Sequence, residues 1–140
     1  MFDKNFYGRI EAWRELRDQV ETSDNPFDLV KSFWNKAPLV NFATDPYDKS
    51  TWPDPWEMIL QNEYCDFMKV LASFYTLQLT ERFSQSHFEI HIVLDDKESR
   101  MKYFLLVDNQ PFGYYNDTSI DKKDISIFSS QVRHVMQPIT

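Results

Sequence analysis

The chain has very little glycine and cysteine, and both shortages exclude whole classes of protein. Its 140 residues include two glycines, Gly8 and Gly113. A P-loop, a dinucleotide-binding fingerprint and a Gly-x-Ser-x-Gly elbow each need closely spaced glycines, so NTPases, Rossmann enzymes and α/β-hydrolases of these types are excluded. The single cysteine, Cys65, cannot form an internal disulfide, which favours a reducing compartment such as the cytoplasm.

No part of the sequence is suited to a membrane or to nucleic acid. The N-terminus MFDKNFYGRI lacks the basic and then apolar order of a signal peptide, and no apolar run approaches the ~18 residues that span a bilayer. The formal charge of −7 repels a phosphate backbone, and no cluster of Lys and Arg offsets this repulsion locally. We therefore expect a soluble, acidic, cytoplasmic protein that binds neither nucleic acid nor a membrane.

The apolar residues are numerous enough to build one core. With 42% hydrophobic and 16% aromatic residues, we expect a single domain over residues 1–140 that needs neither disulfides nor metal. Spacings of three and four predict an amphipathic helix over roughly residues 3–21 and a second helix that ends before Pro38. A long surface loop, 38–53, separates these two helices from a third helix. Asp54 is its expected N-cap, Pro55 its first-turn proline and Glu57 its capping-box residue.

A strongly apolar segment predicts a central, largely buried helix over residues 64–83. Residues 75–80 alternate apolar with polar side chains, so a strand in that segment remains an alternative. No glycine or proline interrupts the segment at Phe74, which favours the continuous helix.

Two alternating segments after this helix predict a β-hairpin. With the turn near Lys97 and Glu98, Phe88 lies opposite Val107, and His87 lies opposite Asp108. Pro111 and Gly113 predict a turn, and the segment 116–140 holds either a third strand or a last helix. The expected class is α+β, with several helices packed on one face of a small antiparallel sheet that contains this central hairpin.

The order Cys65, His87, Asp108 resembles the core of the transglutaminase-like cysteine enzymes. In that family a cysteine at a helix N-terminus attacks a carbonyl, a histidine on a following strand activates it, and an aspartate on the next strand orients the histidine. The resemblance implies a cysteine-dependent acyl-transfer hydrolase using these three residues. A continuous helix opposes this interpretation, because it holds Cys65 roughly 27 Å from residue 83, where the histidine strand begins. A buried core thiol is the alternative.

A second candidate site lies on one strand face. His87, Glu89 and Asp108 are a mixed histidine and carboxylate set that suits zinc, iron or manganese. His91 shares the face, but it stands about 13 Å along the strand from His87, too far for both to bind one ion. The alternative is a hydrated polar face with an ion pair between His87 and Asp108. We expect no cofactor.

Aromatic residues in loop-like segments are candidates for a partner surface. Tyr47, Trp52, Tyr114 and Tyr115 lie in such segments, and tyrosine and tryptophan concentrate binding energy at protein interfaces. We expect a protein partner or self-association through them.

Several segments together resemble small uncharacterised proteins of marine tailed phages of cyanobacteria. These segments are WPDPWE, EYCDF, TLQLTERF, HFEIHIVLDD and KYFLLVD. The resemblance implies a viral origin and an accessory, structural or host-interacting role in the host cytoplasm, and it carries no catalytic residues. The function that we expect is a non-catalytic protein-interaction or accessory module, with the cysteine-dependent hydrolase as the rival.

Overall fold

The computed structural model describes residues 2–41, 44–95, 100–113 and 129–138, and these residues form an α+β fold, as predicted. Helices come first along the chain and strands last. The helices are α1 (Phe6–Val20), α2 (Pro26–Asn35), α3 (Pro55–Gln61) and α4 (Asp66–Gln78), with a short 3-10 turn at Lys49–Thr51. The strands are β1 (Phe88–Asp95), β2 (Arg100–Val107), β3 (Gln110–Gly113) and β4 (Ser129–Val135).

Three helices meet at one buried hydroxyl. Thr76 of α4 accepts hydrogen bonds from the indole N–H groups of Trp13 on α1 and Trp34 on α2, at 2.9 and 3.0 Å. Its own hydroxyl donates to the Ala72 carbonyl at 2.7 Å. Since all of these groups are buried, each N–H would otherwise lose its bond to water without replacement. The hydroxyl therefore fixes the relative positions of α1, α2 and α4.

Helix α3 begins and ends as its sequence predicts. Asp54 accepts the Glu57 backbone N–H at 2.8 Å, and the Glu57 carboxylate accepts the Asp54 N–H in return, which completes the predicted capping box. Asn62 ends the helix in the left-handed region, at φ 54°, a conformation that asparagine tolerates better than most residues. The Tyr75 hydroxyl donates to the Pro53 carbonyl at 2.7 Å and so attaches the start of α3 to α4.

Helix α4 is shorter than the predicted span 64–83. It is helical through residues 75–78, which rules out the alternative strand, but it ends at Gln78. Beyond the end of the helix, the Thr80 N–H and hydroxyl both donate to the Leu77 carbonyl, at 3.1 and 2.6 Å. The Glu21 carboxylate after α1 accepts the backbone N–H groups of Glu81 and Arg82 at 2.8 and 2.9 Å and so holds the turn that follows.

The predicted hairpin is confirmed residue by residue. β1 and β2 pair antiparallel, with Phe88 opposite Val107 and Ile92 opposite Tyr103. The sheet order is β3-β2-β1-β4, so the two strands of the hairpin are central. Phe88, Ile90 and Ile92 alternate with polar residues, and the Phe88 ring packs against Phe74 of α4 at 5.0 Å. The apolar face of the sheet therefore faces the helices.

The predicted turn at Pro111 and Gly113 is wrong. The chain turns earlier, at Asp108 and Asn109, which both have positive φ, 51° and 67°. Two such residues suit the tight turns that connect hairpin strands, and asparagine and aspartate tolerate this conformation. Pro111 and Gly113 then lie in β3, at the edge of the sheet, where a strand tolerates a proline.

The C-terminal segment contains a strand, one of the two structures that its sequence allowed. β4 pairs antiparallel with β1, and its register shifts between Ile92 and Val93. Buried residues of the four helices and of the sheet form one continuous hydrophobic core. Within the described residues, no helix combines the length and the apolar character that crossing a membrane requires.

Candidate functional site

The polar face of the sheet carries a cluster centred on Glu89. Both carboxylate oxygens accept hydrogen bonds from the guanidinium of Arg133 on β4, the bond from Nη2 to Oε2 measuring 3.0 Å. The Nε2 atoms of His87 and His91 lie 2.7 Å and 3.1 Å from the same carboxylate. The His91 ring stacks on Phe104 with ring centroids 4.9 Å apart. Three cationic or potentially cationic side chains thus enclose one carboxylate.

This enclosure makes the Glu89 cluster saturated, in the sense that both carboxylate oxygens have their hydrogen-bond acceptor sites filled. The hydrogen bonds from Arg133 lower the pKa of Glu89 to about 2; burial opposes this shift, and the bonds from His87 and His91 add to it. Glu89 is 5% exposed, and each of its oxygens already has two partners. An ionised carboxylate with filled acceptor sites is a poor general base, because a proton transferred to it would displace these bonds. The cluster's evident effect is to join β4 to β1.

The residues proposed for a metal ion are arranged differently from the sequence-based expectation. Asp108 lies opposite His87, as predicted, but its carboxylate accepts the His87 backbone N–H at 2.8 Å, while the His87 imidazole turns to Glu89. The expected ion pair between His87 and Asp108 is therefore replaced. His87 and His91 share a carboxylate although their backbones are far apart. Across the described ranges, no group of three His, Cys, Asp or Glu side chains has a metal-binding arrangement.

Cys65 lies at the N-cap of α4, beside a small cavity. The cavity has a volume of about 220 Å³, and its lining includes Asp66, Thr44 and Tyr103. Cys65 is a buried free thiol. Burial raises the pKa of Tyr103, with smaller contributions from Tyr47, Cys65 and nearby acids. The N-terminus of a helix favours a thiolate, but nucleophilic catalysis also needs a base within reach.

The structure does not bring His87 to Cys65. Tyr103, which shares the cavity with Cys65, pairs with Ile92 on the helix-facing side of the sheet. His87 lies five residues before Ile92, about 16 Å along the strand, and its side chain is on the other face. The fold therefore keeps Cys65 well separated from His87, as the sequence predicted, although α4 is shorter than predicted.

The sequence pattern did not single out the third histidine, His134. In contrast to His87, its side chain lies on the helix-facing side of the sheet. Its Nε2 is 2.9 Å from the Pro46 carbonyl, and its ring packs edge-on against Trp52 at 5.0 Å. Burial lowers the pKa of His134. Because Nε2 bonds to a carbonyl, it carries the proton and donates it there, which anchors the loop before α3 to β4. No sequence signal pairs these distant segments.

A larger cavity, about 450 Å³, lies at the N-terminal end of α2. Its lining includes Phe27, Phe83 and Arg82. The Arg82 guanidinium already donates to the carbonyls of Val20 and Ser23, at 2.9 and 2.7 Å. The cation that would attract a ligand is therefore committed to the fold.

The predicted aromatic partner surface divides into different environments. Tyr47 is 51% exposed, as a contact residue should be. Trp52 is instead packed: its indole N–H donates to the Asp45 carbonyl at 2.8 Å, and its ring lies 5.0 Å from Phe67. Tyr114 and Tyr115 lie outside the described residues.

The α1–α3 surface, which we define as Trp56 and Leu60 of α3 together with Arg17 of α1, contains two exposed large apolar side chains. Trp56 and Leu60 are one helical turn apart and are 48% and 60% exposed. Arg9 of α1 donates to the Ile59 and Leu60 carbonyls at 3.0 and 3.2 Å. These bonds hold the two helices side by side and present Trp56 and Leu60 outward.

Arg17 borders this apolar stripe, and the neighbouring acid Asp18 favours its charged form. Its guanidinium lies 4.5 Å from the Trp13 ring centroid, and Trp13 in turn contacts Trp56 edge-on at 5.5 Å. Burial lowers the pKa of Arg17, and its buried Nε has no hydrogen-bond partner among the residues that the structure describes. A partly desolvated cation beside exposed apolar side chains favours a ligand that supplies both a carboxylate and an apolar contact.

The sequence contained one signal for this surface. Trp56 and Leu60 stand four apart in a helix whose intervening Met58 and Ile59 are also apolar, so that α3 has more apolar positions than one buried face can hold. The sequence pattern favoured Trp52 for the partner surface, whereas the structure packs Trp52 and leaves Trp56 exposed.

Comparison with known proteins adds no relative. No known protein-family model matches the chain, and no curated protein is significantly similar to it in sequence. The resemblances to phage proteins and to transglutaminase-like enzymes accordingly stay predictions.

Proposed function

We propose that this chain is a non-catalytic protein-interaction module that binds its partner through the α1–α3 surface. The observation that carries the proposal is the exposed pair Trp56 and Leu60 beside Arg17, whose buried Nε has no hydrogen-bond partner among the described residues. Tryptophan and arginine are the residues most often found at the energetic centre of protein interfaces. The phage resemblance supports an accessory role in the cytoplasm of a host cell.

The environments of the reactive groups support the non-catalytic half of the proposal. The Glu89 carboxylate is saturated, and the His87 side chain lies on the opposite face of the sheet from Cys65. We expect alkylation of Cys65 in the native protein near neutral pH to be far slower than in denaturant, because the thiol is 7% exposed. Native labelling as fast as that of the unfolded chain would favour the cysteine hydrolase instead.

Site-specific photo-cross-linking tests the interaction half. A photoreactive phenylalanine at position 60, on the α1–α3 surface, should give a covalent adduct with a partner protein in the cells that naturally contain the chain. The same group at position 47 tests the aromatic loop surface, and at position 15, on the side of α1 that faces α2, it is the control. Adducts at position 47 alone, or at none of the three, would contradict the proposal.

A further inference from the structure

We propose that the occupant of the α1–α3 surface is a second copy of this chain, related by a two-fold axis that runs along the groove between α1 and α3. This inference rests on the proposed function and names its partner. It follows from the distribution of charge across the surface.

The two rims of the surface carry opposite charge. In a helix with 3.6 residues per turn, Trp56 and Leu60 lie only about 40° apart, and Glu57 lies about 60° beyond Leu60. The edge-on contact of Trp56 with Trp13 marks the α1 side, so Glu57 is on the side away from α1. The order across the surface is therefore Arg17, Trp56, Leu60, Glu57.

A two-fold axis along this groove places each rim of one copy against the oppositely charged rim of the other copy. It places the Arg17 rim of one copy over the Glu57 rim of the other and brings the two apolar stripes together at the centre. An isologous contact of this kind uses one patch twice and forms two equivalent charge pairs. The pairing brings a carboxylate into direct contact with the Arg17 guanidinium, whose Nε has no hydrogen-bond partner within the described part of its own chain.

The charge of the whole chain does not prevent this contact. Two copies with a formal charge of −7 each repel one another at long range. At physiological ionic strength the Debye length is about 8 Å, so distant charges are screened while a guanidinium and a carboxylate in direct contact are not. The local arrangement of Arg17 and Glu57 therefore determines whether the copies associate.

Sedimentation equilibrium of the purified full chain tests the inference. We expect a concentration-dependent dimer. Arg17→Glu or Glu57→Lys alone should each weaken it about tenfold or more, because each change places two side chains of like charge opposite one another in both of the equivalent pairs. The double variant, Arg17→Glu with Glu57→Lys, should recover most of the affinity by reversing both pairs. Lys36→Glu and Glu15→Lys, with the same charge changes at the α1–α2 side, should leave the dimer unchanged.

The outcomes separate this inference from the proposed function. Circular dichroism of each variant checks that the fold is retained. Because Glu57 also completes the α3 capping box, the double variant, which lacks that cap too, separates the charge pairing from loss of the cap. A chain that is monomeric at every concentration, a dimer insensitive to both single changes, or a double variant no tighter than the singles would overturn the self-association. An adduct at position 60 with a different polypeptide would then leave the proposed function standing. The absence of any adduct would contradict both the proposed function and the self-association.

Discussion

The polar face of the sheet and the outer face of α1 and α3 both contain an arginine, but their arginines are in opposite situations. Arg133 donates two hydrogen bonds to Glu89, whose oxygens also accept from His87 and His91. Arg17 rests on Trp13, and its buried Nε has no hydrogen-bond partner among the described residues. A saturated cluster stabilises the fold, whereas a surface with an incompletely bonded cation and exposed apolar side chains gains free energy when a partner arrives.

The largest expected effect comes from the saturated core, at Thr76. Thr76→Val removes the shared acceptor of the Trp13 and Trp34 indoles and leaves two buried N–H groups unpaired. At about 1–3 kcal/mol for each unsatisfied group, we expect the free energy of unfolding to fall by about 3 kcal/mol in urea denaturation. Thr76→Ser, which keeps the hydroxyl, is the control and should lose much less. Because Thr76→Val keeps the methyl group, an unchanged free energy of unfolding in that variant would show that the hydrogen bonds to the hydroxyl do not stabilise the fold.

The Glu89 cluster should give the next effect, with a defined pH dependence. Its folded-state pKa of about 2 lies below the usual value of 4.5, so its stabilisation is present above pH 4.5 and is lost as the pH falls towards 2. Glu89→Gln should lower the free energy of unfolding at pH 7 by about 2 kcal/mol and flatten its pH dependence in that window. Glu15→Gln, at an exposed position, should do neither. An unchanged pH profile in Glu89→Gln would mean that another carboxylate controls acid stability.

The two arginines provide the matched comparison, with the smallest effects. Arg133→Met removes two bonds to a buried carboxylate and should lower the melting temperature. Arg17→Met removes a charge that makes no ion pair of this kind and keeps an unbranched side chain over Trp13, so we expect a smaller change, within about 0.5 kcal/mol. Thermal unfolding of both variants under one condition makes the comparison. A loss at Arg17 as large as that at Arg133 would indicate that Arg17 is structural.

Local signals in the sequence were sufficient for several elements. Asp54, Pro55 and Glu57 specify the start of α3 because a capping box involves only neighbouring residues. The hairpin register was predictable because a slip of one residue would expose Phe88, Ile90 and Ile92. Both cases depend on residues that are close along the chain or directly opposed across one turn.

Contacts between distant segments could not be predicted in this way. The turn after α4 is bonded to Glu21, about sixty residues away, and the Glu89 cluster depends on Arg133 from a strand that the sequence left undecided. Which tryptophan is exposed is also a property of packing: Trp52 is held between Phe67 and His134, while Trp56 faces outward. Composition gives the number of aromatic side chains but not their orientation.

The indole N–H signals of the four tryptophans in a ¹H–¹⁵N NMR dilution series test the central claim most directly. Those of Trp13, Trp34 and Trp52 are bonded inside the fold, whereas no hydrogen-bond partner of the Trp56 indole lies within the described residues. If the α1–α3 surface binds a second copy, the Trp56 signal should shift most as the protein is diluted. A stationary Trp56 signal, or a larger shift at Trp52, would contradict the account.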